Sequence, residues 1–248
     1  MIFVPHFIGE RSRDGARLAG GEVVAPALPE AGAQQRLSVL YEDLAARVAA
    51  SERPRVQAGD CVATLGVAAG LQRRGVDFHL VWLDAHGDCN TWETTPSGFL
   101  GGMPLAMLAG LGEQTIVRAL GLEPLGGGRI LLAGARDLDP GEPENLIRAG
   151  IRQAAVADVP ALAPPEGPLY VHLDLDVVTT DEMPAVNYPA PGGPSAAAVR
   201  QALDHLFATG RVAALSVTCW DPALEGAERS RATAEKLVGD LLELVPPP

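Results

Sequence analysis

Apolar residues recur with the period of a helix in several stretches of the chain. Between residues 34 and 50 their spacing by three, four and seven positions predicts an amphipathic helix. The apolar positions in that stretch are Leu37, Leu40, Tyr41, Leu44 and Val48. Further helices are predicted over residues 62–74, 104–111, 196–208 and 232–244.

Short apolar runs alternate with these helices. The runs FHLVWL (78–83) and LYVHLDL (169–175) are nearly continuous, which is typical of strands covered on both faces. Shorter runs predict strands over residues 2–4, 129–133 and 212–217. The alternation predicts an α/β fold in which a mainly parallel sheet lies between two helical layers. Because the sequence shows no internal repeat or linker, we expect a single domain over residues 1–248, with a frayed VPPP tail.

Composition and charge narrow the classes of partner. The 248 residues carry a formal net charge of −12, so we expect no binding to nucleic acid or to an anionic membrane. A pocket that gathers carboxylates attracts metal ions or a cationic substrate instead. No apolar run is long enough to span a membrane, and the first residues do not resemble a signal peptide. Three cysteines give no disulfide framework. These features favour the cytoplasm.

Two acidic motifs follow the two longest apolar runs. D-A-H-G-D follows FHLVWL and contains Asp84, His86 and Asp88, and D-L-D, formed with Asp174 and Asp176, closes LYVHLDL. In an extended chain every second side chain points the same way, so each motif aims its donors at one place. Ligands of a parallel sheet bind beyond the carboxyl ends of its strands. Both motifs are therefore expected at the same edge of the sheet.

The motifs predict a metal centre. Their side chains would repel one another without a cation, because buried unpaired charge is costly, and neither motif contains Lys or Arg. Carboxylates with one imidazole favour a hard or borderline divalent ion such as manganese, and two such ions activate water for hydrolysis. One D-x-H-x-D motif alone is equally compatible with a loop of capping aspartates, and the second motif favours the metal centre.

The same segments resemble sequence blocks of the arginase (ureohydrolase) family. In chain order, they are VQAGDCVATLG, DAHGDCN, SGFLGGMPLAMLAG, GARDLDPGE, HLDLDVV and YPAPGG. The resemblance implies a three-layer α/β/α sandwich around a mainly parallel sheet and a centre of two Mn²⁺ ions. It implies a catalytic role for Asp88, which would hold the attacking hydroxide by a hydrogen bond. The metal ligands that it implies are Cys61, Asp84, His86, Asp88, Asp174 and Asp176.

The resemblance also implies the class of substrate. Arginine-specific members hold the α-carboxylate and α-amino groups of the substrate, directly or through water. The matching positions in this sequence are Asn90, Ser97, Asp139 and Glu142. Agmatine-type members act on a substrate without that carboxylate. The matches therefore imply a small guanidino amino acid as the substrate.

Three positions depart from the family pattern. Cys61 stands where the family has its first histidine ligand, and a thiolate is a softer ligand for manganese. Cys219 stands where an acidic residue faces the guanidinium, so a fully cationic group would lose its counter-charge. Gly101 stands where the family has a proton-shuttle histidine, which leaves His6 or water as the candidate proton donor.

The departures at Cys61 and Cys219 resemble the N-hydroxy-L-arginine hydrolases of D-cycloserine biosynthesis. N-hydroxylation lowers the basicity of a guanidine, which suits a pocket without the acidic residue. The implied reaction converts N-omega-hydroxy-L-arginine and water to hydroxyurea and L-ornithine, in antibiotic biosynthesis. Two alternatives stay open: an arginase or other guanidino-acid hydrolase, and a non-catalytic protein with a partial metal site. Because the chain stops soon after its last predicted helix, a monomer is favoured over the trimers found in the family.

Overall fold

The computed structural model describes residues 1–243, so the predicted fraying of the VPPP tail lies outside the described residues. Within this range the strands are β1 (Ile2–Val4), β2 (His6–Phe7), β3 (Glu10–Arg11), β4 (Glu22–Val23), β5 (Arg55–Ala58), β6 (His79–Leu83), β7 (Ile130–Ala133), β8 (Arg152–Ala154), β9 (Leu169–Asp174) and β10 (Val212–Thr218). The helices in the same range are α1 (Ala33–Ala50), α2 (Ala63–Arg73), α3 (Pro104–Leu108), α4 (Thr115–Ala119), α5 (Glu142–Ala149), α6 (Ala196–Ala208) and α7 (Ala227–Glu243).

Eight of these strands form one parallel sheet. Their order is β4-β1-β5-β10-β9-β6-β7-β8, while β2 and β3 form a separate antiparallel hairpin. The four strands β5, β10, β9 and β6 lie side by side in the middle of the sheet. Their carboxyl ends therefore open on the same edge, which is the edge where both acidic motifs were predicted.

Alternating side chains divide the core into two layers. In β6, Leu80 and Trp82 pack in the core that contains the apolar faces of α1 to α5. The intervening residues Val81 and Leu83 pack in the core that contains α6 and α7. A continuous apolar run is thus needed because both faces of the strand are covered. The predicted three-layer α/β/α arrangement is confirmed.

The structure contains the predicted strands and helices, with shifts at some ends and with additional elements. The helix predicted over residues 104–111 ends at Leu108, because the chain turns at Gly110, whose φ is 80°. The last helix begins at Ala227 rather than at residue 232, directly after Gly226, whose φ is also 80°. Within residues 1–243, each helix falls short of the length or the hydropathy that a membrane span needs.

Candidate metal centre

A cavity of about 440 Å³ opens at the carboxyl ends of the four central strands. Cys61 follows β5, the motif of residues 84–88 follows β6, Asp174 ends β9 and Cys219 follows β10. Among the described residues, the lining includes no Lys or Arg. Its carboxylate side chains belong to Asp60, Asp88, Asp137, Asp139, Glu142, Asp174 and Asp176. A wall of this composition favours cations.

One group of donors combines a thiol and a carboxylate from separate strands. Cys61 Sγ lies 2.9 Å from Asp174 Oδ2. The other oxygen, Asp174 Oδ1, accepts a hydrogen bond from the backbone N–H of Asp176 at 2.8 Å. All three residues are buried. The thiol and the carboxylate therefore face a common point, although β10 separates their strands in the sheet.

A second group of donors joins the loop after β6 to the end of β9. His86 Nδ1 lies 3.1 Å from Asp176 Oδ2 and 3.5 Å from Asp84 Oδ1. Trp82 Nε1 donates to Asp84 Oδ2 at 2.8 Å, and the backbone N–H of His86 donates to Asp84 Oδ1 at 2.7 Å. One donor atom from each of Asp84, His86 and Asp176 lies within 4.8 Å of the others. Donors that share one ion at about 2.0–2.3 Å have separations of this order.

Asp88 is buried at the cavity wall with an uncommon backbone conformation. Its φ of 45° lies in the left-handed region, which costs a non-glycine residue roughly 1–2 kcal/mol. Its carbonyl accepts the N–H of Leu105 at 2.8 Å, in the first turn of α3, and this contact helps to fix the conformation. Asp88 Oδ2 is buried and has no hydrogen-bond partner among residues 1–243. A buried carboxylate oxygen of this kind calls for a cation or a proton donor.

The electrostatic environment of these groups also favours bound cations. Burial, reinforced by neighbouring carboxylates, raises the pKa of Asp84, Asp88 and Asp174 above the ordinary value. Burial lowers the pKa of His86, but Asp176 and Asp84 outweigh that effect and raise the pKa to about 12. Protons thus neutralise the cluster when no other cation does. Divalent ions replace such protons on binding, and these donors fit them in charge and ligand type.

The four candidate substrate-binding residues line another part of the cavity. Asn90 Nδ2 donates to Asp139 Oδ2 at 2.8 Å. Both oxygens of Glu142 accept from backbone N–H groups, those of Cys89 at 2.9 Å and of Asp139 at 2.7 Å. Ser97 is exposed. Glu142 therefore joins the loops after β6 and β7, while the other three present polar side chains at the cavity.

Cys219, one of the three departures from the family pattern, lies directly beside Cys61. The two Sγ atoms are 3.4 Å apart. Cys219 has a φ of 71°, which is a second left-handed non-glycine residue at this edge of the sheet. Strained residues cluster at functional sites. The thiol at position 219 thus contacts the donor group around Cys61 and also lines the cavity.

Gly101, another departure, has no room for a larger side chain. A Cβ atom placed there would lie 2.5 Å from Cζ of Phe99. The Phe99 ring lies 6.0 Å from the ring of Phe7 and 5.0 Å from that of Tyr188, between centroids. An aromatic ring therefore fills the space that a histidine at position 101 would need. His6 is buried and lies outside the cavity lining, so water is the simpler candidate proton donor.

His172 is a residue that the sequence reasoning passed over. It is fully buried in β9, its Nδ1 lies 2.8 Å from Ser216 Oγ, and its Nε2 has no hydrogen-bond partner within residues 1–243. One of its ring nitrogens lies within 4.8 Å of donors on Cys61 and Asp84. The alternation H-L-D-L-D puts this imidazole on the same side as the two aspartates of the motif. That signal was present in the sequence.

A parallel α/β/α sandwich with carboxylate, imidazole and thiol donors at its carboxyl edge has the architecture of a metal-centre enzyme. Comparison with known proteins gives the family. The model of the Arginase family matches residues 18–243, and the chain belongs to this family. It is accordingly a hydrolase that acts on carbon–nitrogen bonds in linear amidines.

Individual relatives are moderately similar. The arginase of Bacillus subtilis (strain 168) is 30% identical over 202 residues, which are 76% of this chain and 68% of that protein. The N(omega)-hydroxy-L-arginine amidinohydrolase of Streptomyces lavendulae is 32% identical over 191 residues, 75% of this chain and 66% of that protein. The solved structure of arginase from Bacillus caldovelox has a TM-score of 0.84 at 25% identity, and the match covers 97% of this chain and 96% of that one.

Proposed function

We propose that this protein hydrolyses N-omega-hydroxy-L-arginine to hydroxyurea and L-ornithine. The observation that carries the proposal is the thiol of Cys219 at the cavity wall, where the family resemblance expects a carboxylate for the guanidinium. The 32% identical amidinohydrolase of Streptomyces lavendulae, which is named for this substrate, supports the same choice.

The proposed cofactor is a pair of Mn²⁺ ions. Cys61, Asp84, His86, Asp88, Asp174 and Asp176 would hold them. When bound, such ions lower the pKa of a water so that it acts as a nucleophile near neutral pH. Asp88 has a buried oxygen with no partner in residues 1–243, and this oxygen would accept a hydrogen bond from the attacking water and orient it toward the guanidino carbon.

The amino-acid end of the substrate would bind on the opposite side of the reacting carbon. Asn90, Asp139 and Ser97 line the cavity with an amide, a carboxylate and a hydroxyl, which suit the α-carboxylate and α-amino groups. Glu142 fixes the loop geometry through its two backbone hydrogen bonds. Its contribution to substrate binding is proposed to act through this loop and through bridging water.

Charge supports the choice of an N-hydroxyguanidine as the substrate. The proposed metal ions would offset the charge of the carboxylates that bind them, so a guanidinium buried beside Cys219 would lack a counter-charge of its own, which is costly. An N-hydroxyguanidine is less basic than a guanidine, so it enters the pocket neutral at a smaller cost. Arginine itself is the second candidate substrate. The sequence similarity of this chain to proteins named arginase is the reason to test it directly.

The proposal extends to the protein as a whole. We propose a monomer with one catalytic domain over residues 1–248, which serves antibiotic biosynthesis in the cytoplasm. Three free cysteines, Cys61, Cys89 and Cys219, suit a reducing compartment. Size-exclusion chromatography with light scattering would test the monomer, since a trimer would elute at three times the mass.

A substrate panel tests the reaction. The Mn²⁺-loaded protein is assayed for ornithine release from N-omega-hydroxy-L-arginine, L-arginine and agmatine, with Asp84→Asn as the background control. We expect the highest kcat/KM for the hydroxylated substrate, with hydroxyurea as the second product. A higher kcat/KM for arginine would overturn the substrate assignment. No turnover, together with fewer than two ions per chain, would favour the non-catalytic alternative.

A further inference from the structure

We propose that Cys219 is a second thiolate ligand of the ion held by Cys61 and Asp174, so that this position binds two sulfurs. The inference rests on the metal centre in the proposed function but not on the identity of the substrate. It assigns a ligand role to a side chain that the metal motifs do not include, at the end of a fourth strand, β10.

The geometry of the three donors carries the proposal. One donor atom from each of Cys61, Asp174 and Cys219 lies within 4.8 Å of the other two. Cys61 Sγ is 2.9 Å from Asp174 Oδ2 and 3.4 Å from Cys219 Sγ. Two sulfurs that bind one tetrahedral ion at about 2.3 Å are roughly 3.8 Å apart. The observed pair is close to that separation and much longer than a disulfide bond of about 2.05 Å.

The position of Cys219 in the chain directs its thiol inward. β10 lies between β5 and β9 in the sheet, so the residue that follows it emerges between Cys61 and Asp174. The left-handed backbone at Cys219, with φ of 71°, turns the chain at this point. Cys219 stays partly exposed to the cavity, which leaves a path for an ion to reach both sulfurs.

The two metal positions of the proposed centre differ in their donor atoms. Asp84, His86 and Asp176 offer two carboxylates and an imidazole, which suit Mn²⁺. Two thiols and a carboxylate also bind thiophilic divalent ions such as Zn²⁺ or Co²⁺, so this position would hold Mn²⁺ more weakly than its neighbour does. Each thiol releases its proton to solvent when the sulfur–metal bond forms. A sulfur engaged in this way does not serve as a counter-charge for a guanidinium, which agrees with a substrate of lower basicity.

Cobalt reports the number of sulfur ligands without any assay of activity. The full-length protein, freed of metal and kept reduced without added thiol, is titrated with Co²⁺ under argon. The near-ultraviolet band from thiolate-to-cobalt charge transfer grows with each cobalt–sulfur bond. We expect Cys219→Ala and Cys61→Ala each to retain half of the wild-type intensity and the double variant to retain none. Cys89→Ala removes a buried thiol outside the donor group and is expected to match the wild type.

A second measurement needs no variant, in case a substitution prevents folding. X-ray absorption is measured on the wild type with two equivalents of Zn²⁺. Because two sulfurs would bind one of the two ions, we expect an average of one sulfur per zinc. Half a sulfur per zinc, or full cobalt intensity in Cys219→Ala, would overturn the proposal. Hydroxyarginine turnover is scored separately: turnover with a single sulfur ligand rejects only this inference, and two sulfur ligands without turnover reject only the proposed function.

Discussion

At the scale of single residues, the buried oxygen of Asp88 has the clearest expected effect. Asp88→Asn keeps the size of the side chain but removes the charge that would hold the attacking water. We expect the turnover number to fall by about 100-fold, the scale on which a misplaced reactant slows catalysis. Steady-state kinetics on Mn²⁺-loaded protein, with metal content measured on the same sample, checks this.

The control for that substitution is Asp181→Asn, which makes the same chemical change at an exposed position outside the cavity lining. It should keep the wild-type turnover. Equal turnover in Asp88→Asn and wild type, at equal metal content, would contradict the role given to Asp88.

The contact between Gly101 and Phe99 gives a second prediction at this scale. A Cβ at position 101 would lie 2.5 Å from Phe99 Cζ, so Gly101→Ala is expected to destabilise the protein by about 1–3 kcal/mol through overpacking. Adding Phe99→Leu removes the ring and should recover most of that loss. Urea unfolding of both single variants and the double variant measures the coupling. Additive effects of the two substitutions would show that the ring does not fill this space.

The positions of some site residues could be predicted from the sequence, and those of others could not. Asp84, His86, Asp174 and Asp176 could be placed because alternating donors at the end of an apolar run have one geometric outcome. The neighbourhood of Cys219 could not, because a lone cysteine after β10 carries no spacing signal. Its contact with Cys61 depends on which strands are neighbours in the sheet, and pattern alone does not give that order.

At the scale of elements, the start of one helix joins the two parts of the cavity. Glu142 begins α5, yet its carboxylate accepts N–H groups from Cys89 and Asp139 in two different loops. Gly87 is needed in the first loop, since a Cβ there would lie 2.8 Å from Glu142 Oε1. The helix start thereby positions both the metal motif and the residues proposed for the amino-acid end.

The ion pair between α1 and α2 gives a prediction with a defined pH dependence. Arg73 donates two hydrogen bonds to Glu42, at 2.8 and 2.6 Å, and lowers the pKa of that carboxyl below 4.5. A lowered folded-state pKa contributes stability above the unfolded-state pKa and loses it as pH falls through the folded-state value. Glu42→Gln should therefore cost about 0.5 kcal/mol near neutrality, the usual scale for an exposed pair.

The test compares urea midpoints of wild type and Glu42→Gln from neutral pH down to values below the pKa of Glu42. The difference should shrink as pH falls and vanish in acid. Glu52→Gln serves as the matched control, because Glu52 is exposed and its side chain has no ion pair within the described part of the chain. A difference that persists in acid would mean that the substitution acts through packing.

Elements with strong periodicity were predictable, and those fixed by their neighbours were not. α1 and β6 follow directly from residue spacing. β5 is four residues long, contains Arg55 and Gln57, and gives no apolar run. It exists because β1 and β10 flank it and supply hydrogen-bond partners, so tertiary pairing outweighs its local pattern.

At the scale of the whole molecule, the sheet brings together charges that the chain keeps apart. The seven carboxylates of the cavity lining come from the carboxyl ends of several strands and from the segments that follow them, and the protein carries a formal net charge of −12. The unfolded chain spreads these groups through solvent, whereas folding concentrates them in one cavity. Cations that bind only the folded arrangement must therefore stabilise it.

Metal removal tests this coupling between fold and site. An ion present at 100 times its Kd contributes about 2.7 kcal/mol to folding, which for a chain of this size raises Tm by roughly 5–10 °C. We expect Mn²⁺ to raise the Tm of the metal-free protein by this amount and a chelator to reverse it, followed by circular dichroism. Asp84→Asn should lose most of the Mn²⁺-dependent rise, and Asp181→Asn should keep it. Identical Tm values in chelator and in Mn²⁺ would mean that the carboxylate cluster does not bind the ion.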